Sequence, residues 1–136
     1  MFEALSVQMS IPHYLNTDLE IDSRIDLTPL VKEFGEDVFL MYNGEWGKNY
    51  RCSFEVNEAL AHANEAIAFF CMLVEALPEN IRKIWDGALK KAFSIGFESG
   101  EVEKIEVEIE PHVLERVANI GAKINIVIYP KYGKDT

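Results

Sequence analysis

The 136-residue chain has the length of one domain, enough to bury a core without disulfides or metal. With 49% hydrophobic and 26% charged residues it is neither disordered, nor collagen-like, nor a coiled coil. Its 23 acidic residues against 13 basic ones give a net charge of −10, a field that repels phosphate backbones and argues against nucleic-acid binding.

The imbalance is local. Residues 1–80 hold 14 acids against four bases, Arg24, Lys32, Lys48 and Arg51, whereas residues 81–136 hold nine of each. Two readings are open, solubility and the steering of a basic partner. Glu3 stands where a signal peptide carries Lys or Arg, and the most apolar run, Ala66 to Val74, is too short to cross a bilayer. A cytoplasmic location and no membrane contact are expected.

Ala4 to Ile11 alternates as a half-buried strand, with Leu5, Val7, Met9 and Ile11 on one side. Leu19 and Ile21, opposed by Glu20 and Asp22, read as an irregular or edge strand. A helix follows, capped by Asp26 or Thr28, with Pro29 in its first turn, Leu30, Val31 and Phe34 as its stripe and Gly35 as its stop. Val38 to Tyr42 and Tyr50 to Val56 pair as a hairpin across a turn-rich connector, Asn43 to Asn49.

The clearest helix is Glu58 to Leu77, capped by Asn57, with Leu60, Ala63, Ile67, Phe70, Cys71, Val74 and Leu77 on one face. Pro78 opens a second one through about Lys91, burying Ile81, Ile84, Trp85, Ala88 and Leu89. Phe93, Ile95 and Phe97 form a strand, and Ile105, Val107 and Ile109 face inward from another. Pro111 starts a short helix with Val113, Leu114, Val117 and Ile120 inward. Gly121 ends it, and Ile124, Ile126 and Ile128 close the fold.

The sum is a single α+β domain over residues 1–136, with a largely antiparallel or mixed sheet, helices on one face and the order β-β-α-β-β-α-α-β-β-α-β. Leu19 to Tyr42 and Ile105 to Tyr129 share a rhythm of strand, Pro-started helix, Gly stop and strand ending in Tyr. A duplicated unit and mere common turn chemistry both give it.

The run from Ile105 to Tyr129, with Glu110-Pro111, Ile120-Gly121 and Tyr129-Pro130, resembles the C-terminal end of a group of small uncharacterised bacterial α+β proteins. Phe70 to Pro78, Trp85-Asp86 and Phe93 to Phe97 fit the same pattern. The resemblance implies a bacterial cytoplasmic domain of unassigned function and transfers no site residues.

No motif carries catalysis. His13, His62 and His112 lack the spacing of metal ligands, GxSxG is absent, and no glycine cluster opens a helix. Neither metal nor cofactor is expected. Cys52 and Cys71, 19 residues apart in apolar segments, read as core thiols in a reducing compartment.

Two exposed features remain. Glu106, Glu108 and Glu110 form a carboxylate row on the expected strand, open to reading as a solvated face, a docking stripe for a basic partner or a divalent-cation site. The hairpin residues Tyr42, Asn43, Glu45, Trp46, Lys48, Asn49 and Tyr50 gather aromatics and mixed charge at one end of the sheet. They either fold back onto the sheet or recognise a partner. The expectation is a non-enzymatic acidic binding module for a basic or neutral protein, of immunity or regulatory type. The alternative is a small-molecule-binding or enzymatic domain with its pocket between sheet and helices.

Overall fold

The computed structural model describes residues 9–56, 60 and 62–131. The elements are β1 (His13–Ser23), α1 (Thr28–Phe34), a 3₁₀ turn (Gly35–Asp37), β2 (Phe39–Trp46), β3 (Asn49–Glu55), α2 (Ala63–Glu75), α3 (Glu79–Asp86), β4 (Lys90–Glu98), α4 (Pro111–Asn119) and β5 (Lys123–Tyr129). The five strands form one sheet in the order β2-β3-β1-β4-β5. Every pair is antiparallel except β4 with β5. This is the α+β architecture with a mostly antiparallel mixed sheet that the sequence implies.

Leu19 and Ile21 do not lie on an edge strand. They are fully buried in β1, the middle strand, between β3 and β4. The misleading signal was Glu20 and Asp22, which are tolerated centrally because they point to the sheet face opposite the helices. Leu19, Ile21, Cys52, Phe54, Phe93, Ile95 and Phe97 line the other face and meet Leu30, Phe34, Ile67, Phe70, Val74 and Trp85 from the helices in one core.

At the start of α1, the Asp26 carboxylate accepts bonds from the Thr28 amide (2.9 Å) and hydroxyl (2.7 Å), although Leu27 occupies the cap position. Gly35, at φ +60°, then turns the chain out of the helix. Trp85 anchors the far side, its indole N–H donating to the Ile120 carbonyl at 2.7 Å.

Several boundaries differ from expectation. Residues 4–8 of the first expected strand lie outside the described residues, and Met9 to Ile11 are irregular. The expected cap Asn57 also lies outside them; Leu60 is irregular, and α2 begins at Ala63. Helix α3 stops at Asp86, so Leu89 is exposed and its amide bonds the Asp22 carbonyl at 2.7 Å. In α4, Leu114 is exposed while Val113 and Val117 are buried.

The largest correction is residues 105–110, which are not a strand. Alternation alone cannot make a strand without a neighbour for its main chain. Here the segment belongs to the crossover that parallel strands β4 and β5 require. Its backbone bonds go to a side chain instead: Asn64 Nδ2 donates to the Glu108 carbonyl (2.6 Å), and the Glu110 amide donates to Asn64 Oδ1 (2.8 Å). Ile105 and Val107 are exposed rather than inward. Ile124, Ile126 and Ile128 do form the last strand, but Ile126 and Ile128 are 59% and 65% exposed, and only Ile124 of β5 packs against the core.

The rhythm shared by 19–42 and 105–129 is therefore not a repeated unit. β3 separates β1 from β2, and the second segment holds one strand, not two.

Candidate functional site

Among the described residues, the sheet is covered on one face only. Its open face carries alternate residues of each strand: Asp18, Glu20 and Asp22 of β1, with Arg51, Ser53 and Glu55 opposite them on β3. Tyr42, Gly44 and Trp46 of β2 pair with Ser53, Arg51 and Asn49, and Phe39 pairs with Glu55. A register shift between Leu40 and Tyr42 brings Phe39, Tyr42 and Trp46 into one row on this face.

The predicted hairpin loop is mostly strand. Its turn is only Gly47-Lys48, with Gly47 at φ +64°, the type II′ arrangement that suits the twist of an antiparallel pair. Asn43, Glu45 and Trp46 therefore sit on β2, and Lys48 at the tip.

Trp46 neither folds back into the core nor hangs free. It is half exposed, Tyr42 meets it edge-on at 5.8 Å between centroids, and the Arg51 guanidinium lies over its ring at 4.0 Å. The Tyr42 hydroxyl donates to the Glu45 carbonyl at 2.5 Å, and Asn43 Nδ2 to Thr28 Oγ1 at 3.3 Å. Tyr50 is different: it packs against the helix-side core and is no part of the exposed row.

Sequence reasoning missed Phe39, Leu40 and Met41, each about half exposed. A continuous apolar run reads as a strand buried on both faces, yet β2 is an edge.

Beside the aromatic row lies an ionic cluster. Arg51 holds Asp22 through two bonds, Nε to Oδ1 at 2.6 Å and Nη2 to Oδ2 at 3.0 Å, and reaches Glu20 at 3.4 Å. Lys90 bonds the other Glu20 oxygen at 2.5 Å. Hydrogen bonding to Arg51 holds the Asp22 carboxyl below its ordinary range and raises the guanidinium in turn. Asn16 donates to Glu55 at 3.0 Å. Asp18 has no such help: its Oδ1 is buried without a hydrogen-bond partner. Burial, then Glu55 and Glu20, push its pKa up to about 6.

The acidic row predicted from alternation is not a strand face. Glu106, Glu108 and Glu110 are exposed on the irregular segment and border a cleft of about 420 Å³ with Tyr14, His62 and Asn64. Lys104 reaches Glu106 at 3.3 Å. No group of three or more His, Cys, Asp or Glu among the described residues is arranged to hold a metal ion.

A second cleft, of about 440 Å³, lies between β5 and the irregular segment, lined by Phe97, Ile105, Val107, Ile126 and Ile128 among others. Cys52 and Cys71 are buried and unpaired, and burial pushes their thiols to about 12 and about 11. No described helix is long and apolar enough to cross a membrane.

Comparison of the chain with protein families, with curated proteins and with solved structures found no match.

Proposed function

We propose that this small bacterial protein is a non-enzymatic binding module that holds a basic protein partner on hairpin β2–β3 and the adjoining open sheet face. One observation carries the reading: Phe39, Tyr42 and Trp46 stand exposed in a row on a sheet face that no described element covers. Trp, Tyr and Arg are the side chains that most often dominate interface energy, and Arg51 over Trp46 adds the third. Exposed aromatics on a sheet also stack RNA bases, but the carboxylates beside them and the net charge of −10 oppose phosphate. Two buried, unpaired thiols suit a reducing cytoplasm.

The test is affinity capture from cytoplasmic extract on the wild-type protein and on Trp46→Ala, eluting with salt. A basic protein released at high salt and lost with Trp46→Ala, while that variant melts within a few degrees of wild type, supports the module. Equal capture by both proteins overturns it. A second reading, a small apolar ligand, is favoured by the cleft along Ile126 and Ile128. A stoichiometric metabolite in the native mass spectrum would favour that one.

A further inference from the structure

We infer that the partner contributes an extended, lysine- or arginine-bearing segment that joins the sheet as a sixth strand along the outer edge of β2. This rests on the reading of the hairpin as a protein-binding surface and specifies the form of its ligand.

β2 ends the sheet, and its main chain offers the pattern a strand needs. Trp46 and Asn49 flank the two-residue turn, the position at which an antiparallel pair exchanges both main-chain bonds. By alternation Gly44 with Arg51 is the next such pair, so the amides of Asn43 and Glu45 point away from β3. Among the described residues neither amide has a partner across a turn or loop.

The side chains agree. Edge strands are normally guarded by Lys, Pro, short length or a bulge; β2 has its register shift between Leu40 and Tyr42, but the stretch from Tyr42 to Trp46 pairs regularly with β3 and carries Glu45 as its one charge. It exposes apolar groups on both faces, Phe39, Tyr42 and Trp46 on the open side and Leu40 on the other. That two-sided pattern belongs to an interior strand with a neighbour.

Charge selects the neighbour. Glu36 and Asp37 precede β2, Glu55 lies beside Phe39, and Glu45 sits near its far end. Of the two bases in the hairpin, Arg51 is already engaged by Asp22 and Lys48 sits at the tip, beyond the strand. A second copy brings another net charge of −10, and laid parallel and in register it sets Glu45 against Glu45; a basic strand would meet these carboxylates favourably.

The probe is a synthetic ten-residue peptide of alternating lysine and valine, compared with the same peptide N-methylated at every second residue and with a glutamate-for-lysine version. Amide shifts are followed by NMR and binding by Trp46 fluorescence. Shifts confined to residues 39–46, binding at least tenfold weaker after N-methylation or in Glu45→Pro, and no binding of the glutamate peptide are the expected results. Glu45→Pro deletes an outward amide and spares the ladder to β3, and it must bind more weakly than Glu45→Gln, which loses the same charge and keeps the amide; equal binding by the two overturns the inference. Equal binding of the N-methylated peptide, shifts on β5, or no binding of the lysine peptide overturns the inference. So does a dimer in sedimentation that Glu45→Pro dissociates, which would give the edge to a second copy. A protein captured through Trp46 but indifferent to Glu45→Pro would end strand addition and leave the binding-module reading standing.

Discussion

Arg51 serves Trp46 and Asp22 with one guanidinium: its Cζ lies over the indole, 4.0 Å from the ring centroid, while Nε donates to the Asp22 carboxylate at 2.6 Å. The fork geometry makes both contacts at once, which an ammonium cannot do. Arg51→Lys should therefore lose about 1 to 2 kcal/mol of stability, and Arg51→Ala about 1.5 to 3, because Asp22 is then left half-buried without its partner. Asp22 is held below its ordinary pKa, so its contribution is present at neutral pH and disappears as pH falls through that lowered value. Urea titrations of wild type and Arg51→Ala should converge in strongly acidic solution; a gap that persists there would mean that packing on Trp46, not the ion pair, carries the effect.

Phe70 occupies the middle of the core. It is fully buried on α2 and its ring lies 5.7 Å from that of Phe93 on β4, joining helix to sheet. Phe70→Ala should cost about 3 to 5 kcal/mol through lost burial and the cavity left behind. A loss below about 1 kcal/mol in denaturant titration would show that the site collapses without penalty.

The elements legible in the sequence are those whose periodicity and partner coincide. Ile67, Phe70, Cys71 and Val74 repeat at helical steps and face one sheet, so α2 could be read, and Phe93, Ile95 and Phe97 alternate within a strand paired on both sides. Ile105, Val107 and Ile109 alternate just as cleanly, yet their main chain pairs with no described strand and they form none. Periodicity reports which face would be buried; it does not report whether a neighbour exists.

The candidate site was visible in part for the same reason. Tyr42 and Trp46 stood out as aromatics near glycines, and both are exposed. Phe39, Leu40 and Met41 did not, because their exposure follows from strand order, which places β2 at an edge through long-range pairing of β3 with β1. Tyr50, named with the hairpin aromatics, stands one residue from Arg51 and so on the opposite face: it packs toward the helices while Arg51 faces the open side.

Cys52 and Cys71 should be inert in the native protein. Burial first of all raises their thiols to about 12 and about 11, which leaves little thiolate at pH 8. A disulfide-exchange reagent should label both at least about a hundredfold more slowly than in denaturant. Rapid native labelling of Cys52 would mean that β3 opens locally.

Asp18 should be the residue whose removal strengthens the fold. Its carboxylate sits on the middle strand with Glu55 opposite and Glu20 beside it on the same face, and Ser94 is its register partner on β4. Its pKa of about 6 lies above the ordinary value of 3.8, so the folded state binds a proton more tightly than the unfolded chain does. Stability contributed by the protonated form is thus complete below the ordinary value, falls as pH rises from there to about 6, and stays reduced above it. Asp18 is only half-buried, so water screens much of the effect; Asp18→Asn should gain about 1 kcal/mol at pH 8. An amide can also donate to Glu55 or Glu20, which adds to the gain above the carboxylate range. Paired denaturant titrations at pH 8 and pH 3.5 decide the matter: the gain should shrink at the lower pH, and an equal gain at both would show that Asp18 is destabilising through packing rather than through its charge.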